Sequence, residues 1–467
     1  MNINDTLHYL NTGLPDDILR KKIYGDFEGA VRLIDRRLAA DNLPEALRYC
    51  LTAQREICLR LPSSYPYDRQ DALRILIEHI PDFSEEEFDT YIDTGKIGWI
   101  YINGQVHIAD SFFDTLCKTS SEFAKRAGIN TPETKNPADG TAMPDIRDIT
   151  MCEMKKHGKI RKKIRIHASI KIKDDCFSPG MNVLVHLPVP AECEQQSEIE
   201  IEKIFPENGI LSPEDASART ICWKEIMSEN HEFSVEYAYT HTAVYHNTED
   251  PSHLPHHTET SEDLGQYLIE EAPHIVFTPY IRSLAAVLTE GITDPLEKAR
   301  RFYDFITLNM KYSFMPEYFV LDNISESCAR NYTGDCGVFA LLFITLCRCS
   351  GIPACWQSGL AAEPDFCGPH DWARFYIPPY GWLYADPSYG TGAVRAGNEE
   401  RRRFYFGNLD ACRMVANNAF QAPFTIEKEH WRADPYDNQV GEIETDSRGL
   451  RYEEFECSQE TLLCEDL

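Results

Sequence analysis

Three residues of this chain carry the parts of thiol acyl-transfer chemistry: Cys336, His370 and Asp386, in that order. Cys336 stands in Thr333-Gly334-Asp335-Cys336-Gly337-Val338-Phe339-Ala340-Leu341-Leu342-Phe343, a glycine-flanked cysteine followed at once by an apolar, Pro-free, helix-like run. A cysteine is nucleophilic only as thiolate, and a free thiol pKa of about 8.5 leaves little thiolate at neutral pH. Two devices lower it: the positive end of a helix macrodipole and an adjacent imidazolium. The run after Cys336 supplies the first and His370 the second. At a helix N-terminus the free N–H groups also suit an oxyanion. Gly334 is expected to turn the backbone sharply, and Gly337 to admit substrate closely.

His370 opens His370-Asp371-Trp372-Ala373-Arg374-Phe375-Tyr376-Ile377, a strand-like run. Trp382-Leu383-Tyr384-Ala385-Asp386-Pro387 reads as its return strand across Pro378-Pro379-Tyr380-Gly381. A turn centred on Pro378 places His370 and Asp386 directly opposite on one face. A turn centred between Pro379 and Tyr380 offsets them by about 10 Å. The sequence leaves both open. Asp386 would orient the imidazole. Asp335 and Asp371 are rivals, but a residue beside a strand histidine points to the opposite face, which weakens Asp371. Trp372 and Trp382 read as core packing on these strands.

The elements around this centre form several units, as 467 residues require. Residues 1–130 read as mostly helical, with helical apolar spacing over Glu28 to Ala40 and Pro44 to Leu61. Ser84 heads a capping box. Trp99 to Ile108 reads as a hairpin turning at Asn103-Gly104, and together these loosely suggest a winged-helix-like shape. Residues 131–150 have linker chemistry. The basic run Lys155 to His167 alternates with Ile160, Ile164 and Ile166 and is expected to protect an edge strand. Strand-like runs over Met181–Leu187, Glu198–Ile204, Ala218–Trp223 and Glu232–Ala243 predict a small β-sandwich at about 151–250. Thr248 to Thr260 reads as a second linker. Residues 261–440 form the last domain, with Asp294-Pro295-Leu296-Glu297 starting a helix. Residues 441–467 read as an acidic tail.

Composition narrows the partners. Forty-six basic against 75 acidic residues give a net charge of −29. That disfavours nucleic acid and an anionic membrane surface. The N-terminus shows no basic and apolar leader pattern, so the protein reads as cytoplasmic. Its 16 cysteines then read as reduced thiols. Cys347, Cys349, Cys355 and Cys367 form no paired C-x-x-C knuckles and read as buried structural thiols. His253, His256 and His257 lie in a polar, Pro-containing stretch that makes a poor metal site. No metal or other cofactor is expected.

Gly334-Asp335-Cys336-Gly337, the later Arg348-Cys349-Ser350-Gly351-Ile352-Pro353-Ala354, His370-Asp371-Trp372-Ala373 and Gly381-Trp382-Leu383-Tyr384-Ala385-Asp386-Pro387-Ser388 resemble the Cys, His and Asp boxes of the transglutaminase-like superfamily. The resemblance covers about residues 265–395. It implies a papain-like α+β catalytic domain with a Cys336-His370-Asp386 triad, here preceded by a β-sandwich, common among bacterial members, and a mostly helical N-terminal domain. Two positions depart from the family pattern: Cys355 stands where Arg is frequent, and Asp371 where Ala is. The resemblance also implies an oxyanion side chain upstream of the cysteine, for which Tyr312 is the candidate, with a core aromatic as the competing reading. The function expected is a cysteine peptidase or amidase working on a protein or peptide substrate through a thioester. A transglutaminase, or a binding scaffold retaining the fold, is the alternative.

Overall fold

The computed structural model describes residues 2–129, 145–249 and 263–467. The greater part of the 131–150 linker, and His253, His256 and His257 with most of the second linker, lie outside those residues.

The helix Cys336–Cys349 is buried without interruption from Gly337 to Arg348. A helix apolar on all sides must be packed on all sides. Helices Pro279–Leu288, Pro295–Asn309 and Ile324–Asn331 contact it, as do strands Ala354–Glu363 and Phe366–Ile377. Those strands belong to an antiparallel five-stranded sheet. Its order is Phe406–Gly407, Gly381–Ala385, Phe366–Ile377, Ala354–Glu363, Arg413–Asn417. Phe343 of the helix meets Phe375 of the sheet with ring centroids 5.4 Å apart.

The expected 1–130 unit divides in two. Leu7, Ile18, Ile34, Leu51 and Ile57 join the core around the Cys336 helix. Leu76, Phe88, Phe112 and Phe123 close a separate core. In that second part, Tyr67–Asp68 pairs with Gln105–Ile108, which pairs with Trp99–Ile102. Asn103 and Gly104 take positive φ at the hairpin turn, as an Asn-Gly turn requires. Helix Glu85–Asp93 begins with Glu85, Glu86 and Glu87, a charge that repels a phosphate backbone.

Two four-stranded sheets face one another over Ile166, Val185, Trp223 and Tyr237. Here two expectations are corrected. Residues 441–467 are no surface tail: Glu442–Thr445 pairs with Met181–Pro188 in one sheet, and Phe455–Asp466 pairs with Lys159–Ile172 in the other. The alternation of Phe455 to Asp466 carries acids on one face, which hides a strand inside a run that composition alone reads as solvated. The basic run is likewise no edge. Lys159–Ile172 is a central strand between Phe455–Asp466 and Phe233–Val244. Its Arg161, Lys163 and Arg165 pair with Glu198, Glu200 and Glu202 across the intervening strand. Small residues there, Thr242, Thr240 and Ala238, leave the long side chains room. The sandwich core continues into Leu360, Ala362, Met414 and Ala416 of the five-stranded sheet.

Candidate active site

Cys336 is the first residue of its helix, and Asp335 is the N-cap, accepting from Val338 N at 3.2 Å. Asp335 also accepts from Met315 N at 3.3 Å and from the Tyr318 hydroxyl. Tyr312 and Gly334 pair in a short parallel bridge, so the segment before the cysteine is anchored on both sides. The two glycines act differently from the expectation. Neither has positive φ. A Cβ at Gly334 would fall 2.5 Å from Val338 Cγ1, and one at Gly337 2.3 Å from the Tyr318 hydroxyl and 2.8 Å from Asp371 Oδ2. Both are required by protein packed against them, and the space beside Gly337 is filled by Tyr318 and Asp371.

The strand Phe366–Ile377 divides the chemistry between its two faces. Ala373 and Phe375 face the Cys336 helix, whereas Trp372 packs with Leu409 and Val415 on the other side. Pleat alternation therefore puts Asp371 on the helix face and His370 on the far face. The Cys336 thiol donates to Asp371 Oδ2 at 3.2 Å, and no hydrogen bond joins it to His370. Asp371 Oδ1 accepts from Gln439 Nε2 at 2.7 Å, and the same amide donates to the His370 carbonyl at 3.0 Å. The Asp437 carboxyl stands close enough to Asp371 to raise it. Asp437 is held in turn by Ser358 Oγ at 2.5 Å, Asn417 Nδ2 at 2.7 Å and Asn438 N at 2.7 Å.

These neighbours act on the thiol. Burial, then the charges of Asp371 and Asp335, push the Cys336 pKa well above the ordinary thiol range, and Lys118 opposes them only weakly. Burial and Asp437 push the Asp371 carboxyl well up as well. In this state Cys336 is a protonated thiol held by a carboxyl pair.

On the far face His370 Nε2 lies 2.7 Å from Asp386 Oδ2. The register that permits this is neither of the two alternatives drawn from the sequence. Ile377 pairs with Gly381 and Ala373 with Ala385, so the turn is centred on Pro379. Asp386, just past its strand, then falls two residues from the position opposite His370. An even offset keeps both on one face, within diagonal reach. Asp386 also caps the helix Pro387–Arg395 by accepting from Tyr389 N at 2.8 Å. Fully buried Arg413 stands 3.0 Å from Asp386 Oδ2 and 2.6 Å from Asp410 Oδ2. Its guanidinium covers the Tyr389 ring at 4.4 Å, and that ring lies 4.5 Å from the imidazole. Burial alone would raise the Asp386 pKa; His370 and Arg413 overcome it and hold the carboxylate below its usual value. Burial lowers His370 below an ordinary histidine, and Asp386 restores only part of the loss.

The structure thus brings His370 and Asp386 together and seats Cys336 against Asp371, the residue the sequence reading set aside. Tyr312 is buried, and its hydroxyl accepts from Lys118 Nζ at 3.1 Å. Asp437, Gln439 and Arg413 were missed, because each arrives from a later segment with no motif around it. The pleat rule that weakened Asp371 was sound; the helix simply covers the opposite face. Among the described residues no group of histidine, cysteine and carboxylate side chains could hold a metal ion, and no helix is long and apolar enough to cross a membrane.

Residues 282–387 match the family model of the transglutaminase-like superfamily, a span that holds Cys336, His370 and Asp386. A proposed cysteine protease from Cytophaga hutchinsonii is similar in structure at 16% identity and a TM-score of 0.42, over 66% of this chain and 92% of that one. The periplasmic domain of TgpA from Pseudomonas aeruginosa is similar at 12% identity and a TM-score of 0.28, over 54% of this chain and 96% of that one. No curated protein matches the sequence.

Proposed function

We propose, from the transglutaminase-like core over residues 282–387, that this chain is a cysteine hydrolase of amide or peptide bonds in which Cys336 is the nucleophile and His370, oriented by Asp386, moves its proton. The observation that carries this reading is the His370–Asp386 pair, 2.7 Å apart through Nε2. Among the described residues Nδ1 makes no protein hydrogen bond, which leaves it to serve a thiol. In the resting state the thiol proton rests toward Asp371. A carbonyl entering at the helix N-terminus would accept hydrogen bonds from the unused backbone N–H groups there, and the reaction then requires a rearrangement that carries the sulfur from Asp371, on the helix face, to His370, on the far face. The thiolate adds to the carbonyl, the imidazolium protonates the leaving amine, and a thioester forms. Water then attacks the thioester, with His370 as base, and releases the acid. A lysine amine in place of water would give transamidation.

The test is turnover of a reporter peptide amide by the full chain, with and without a primary amine. Hydrolysis that Cys336→Ala and His370→Ala each reduce by at least about 10³-fold supports the assignment. Product carrying the amine would instead make the chain a transglutaminase. The Sγ–Asp371 hydrogen bond favours a second reading, in which Asp371 itself receives the thiol proton. Full activity in His370→Ala with loss in Asp371→Ala selects that reading.

A further inference from the structure

Outside this site, Cys412 Sγ and Cys464 Sγ stand 4.0 Å apart. Cys412 is buried just before the sheet strand Arg413–Asn417, and Cys464 is half-buried on the sandwich strand Phe455–Asp466. The contact therefore crosses from one sheet system to the other. The nearly buried Lys162 amine faces the two sulfurs and is tied to Asp466 Oδ1 at 2.6 Å. Asp466 itself and Asp410, which accepts from Cys412 N at 2.9 Å, are opposing charges near the pair.

We propose that Cys412 and Cys464 form an oxidisable dithiol, a modification site for hydroperoxides, with Cys464 as the attacking thiol, Cys412 as the resolving one and Lys162 as the cation that supports the thiolate. The Cys464 sulfur is the more accessible, and it shares one S–H hydrogen bond with Cys412. That bond, against the cost of burial and with Lys162 helping, lowers the Cys464 pKa and raises that of Cys412. In the first step the Cys464 thiolate attacks one oxygen of the peroxide. The O–O bond breaks, and a sulfenic acid and hydroxide form. In the second, Cys412 sulfur attacks the sulfenic sulfur, the S–S bond forms, and the hydroxyl leaves as water with the thiol proton. Two thiols are oxidised and one hydrogen peroxide is reduced to two waters. The sulfurs must approach by about 2 Å to reach bonding distance. The resulting bridge pins the last strand beside Arg413, the cation next to Asp386.

The experiment uses the full chain, reduced, freed of reductant and titrated with hydrogen peroxide. Remaining thiols are alkylated and the peptides mapped without reduction. The expected map shows a Cys412–Cys464 cross-linked peptide before any other disulfide. Cys464→Ser removes it, and Lys162→Met slows its formation about tenfold, the effect of a one-unit rise in thiol pKa. The proposal is overturned if both thiols are still alkylated once exposed Cys152 is oxidised, or if Lys162→Met forms the cross-link at the wild-type rate. The wild-type map decides the first point without any variant, and none of these readings depends on turnover at Cys336.

Discussion

The two faces of strand Phe366–Ile377 carry ionisable groups of similar burial and opposite electrostatics. On the helix face Cys336 meets Asp371, with Asp437 and Asp335 behind it, and Asp371 and Asp335 both raise the thiol. On the far face His370 and Asp386 meet Arg413, and the cation holds the carboxylate ionised in spite of burial. Burial raises the cost of charge on both faces. The direction a group finally takes is set by whether a counter-charge was buried with it. The far face is thereby preset as an anion–imidazole pair, whereas the helix face keeps its protons on the thiol and the carboxyls.

This contrast breaks most readily at Arg413. Arg413→Met strips the cation from Asp386 and Asp410 and leaves uncompensated buried carboxylates. The expected loss is about 3–5 kcal/mol of stability, read as a fall in the denaturant midpoint. A variant as stable as wild type would show that Arg413 does not support the pair.

The pH dependence has opposite signs at the far-face pair and at Asp434, a loop residue that accepts from Asp437 N at 3.1 Å. Burial, with Asp437, pushes Asp434 up to about 7. Its unfolded value is about 3.9, so the stability it contributes is complete below that pH and is lost as pH rises through about 7. Asp434→Asn keeps the acceptor for Tyr436 N and removes that loss. Against wild type, its stability, followed through the melting temperature, should gain on the order of 1–3 kcal/mol as pH goes from about 5 to about 8. His370 and Asp386 both have depressed folded values. Their stability is present at pH above their unfolded values and is lost as pH falls through the folded ones. A melting-temperature difference independent of pH would remove Asp434 from this account.

The smallest effect is kinetic. Asp371→Asn removes the carboxyl that, after burial, most raises the Cys336 thiol, and iodoacetamide labelling of that thiol at pH about 7 should accelerate about tenfold. Slower labelling would mean that Asp371 assists ionisation, which is the second reading of the proton acceptor.

Much of this architecture was legible in the sequence where the signal is local. The Asp294 cap accepts from Leu296 N and Glu297 N, the Ser84 cap from Glu87 N, and the Asn103-Gly104 turn closes its hairpin. The apolar run after Cys336 is the buried helix that its composition implies. Non-local pairing was not legible. Nothing in Phe455–Asp466 names Lys159–Ile172 as its partner some 300 residues earlier in the chain, and an acidic, alternating segment looks solvated until a basic strand lies beside it. The same limit hid Arg413 and Gln439, single polar residues whose role comes from the strand they reach.

By itself the sequence determined the chemical inventory and the local geometry. A cysteine heads an apolar helix, and a strand histidine and an aspartate at the end of the neighbouring strand both follow that helix. Those features depend on spacing, capping and turn chemistry within a few residues. Only the tertiary structure decided which face of the histidine strand the helix covers, and so whether His370 or Asp371 meets the thiol. It also centred the turn on Pro379, which set the His370–Asp386 offset at two residues. The physical reason is the pleat. Neighbouring strand residues point to opposite sides, so one residue of register or one choice of packed face exchanges an imidazole for a carboxyl at the sulfur.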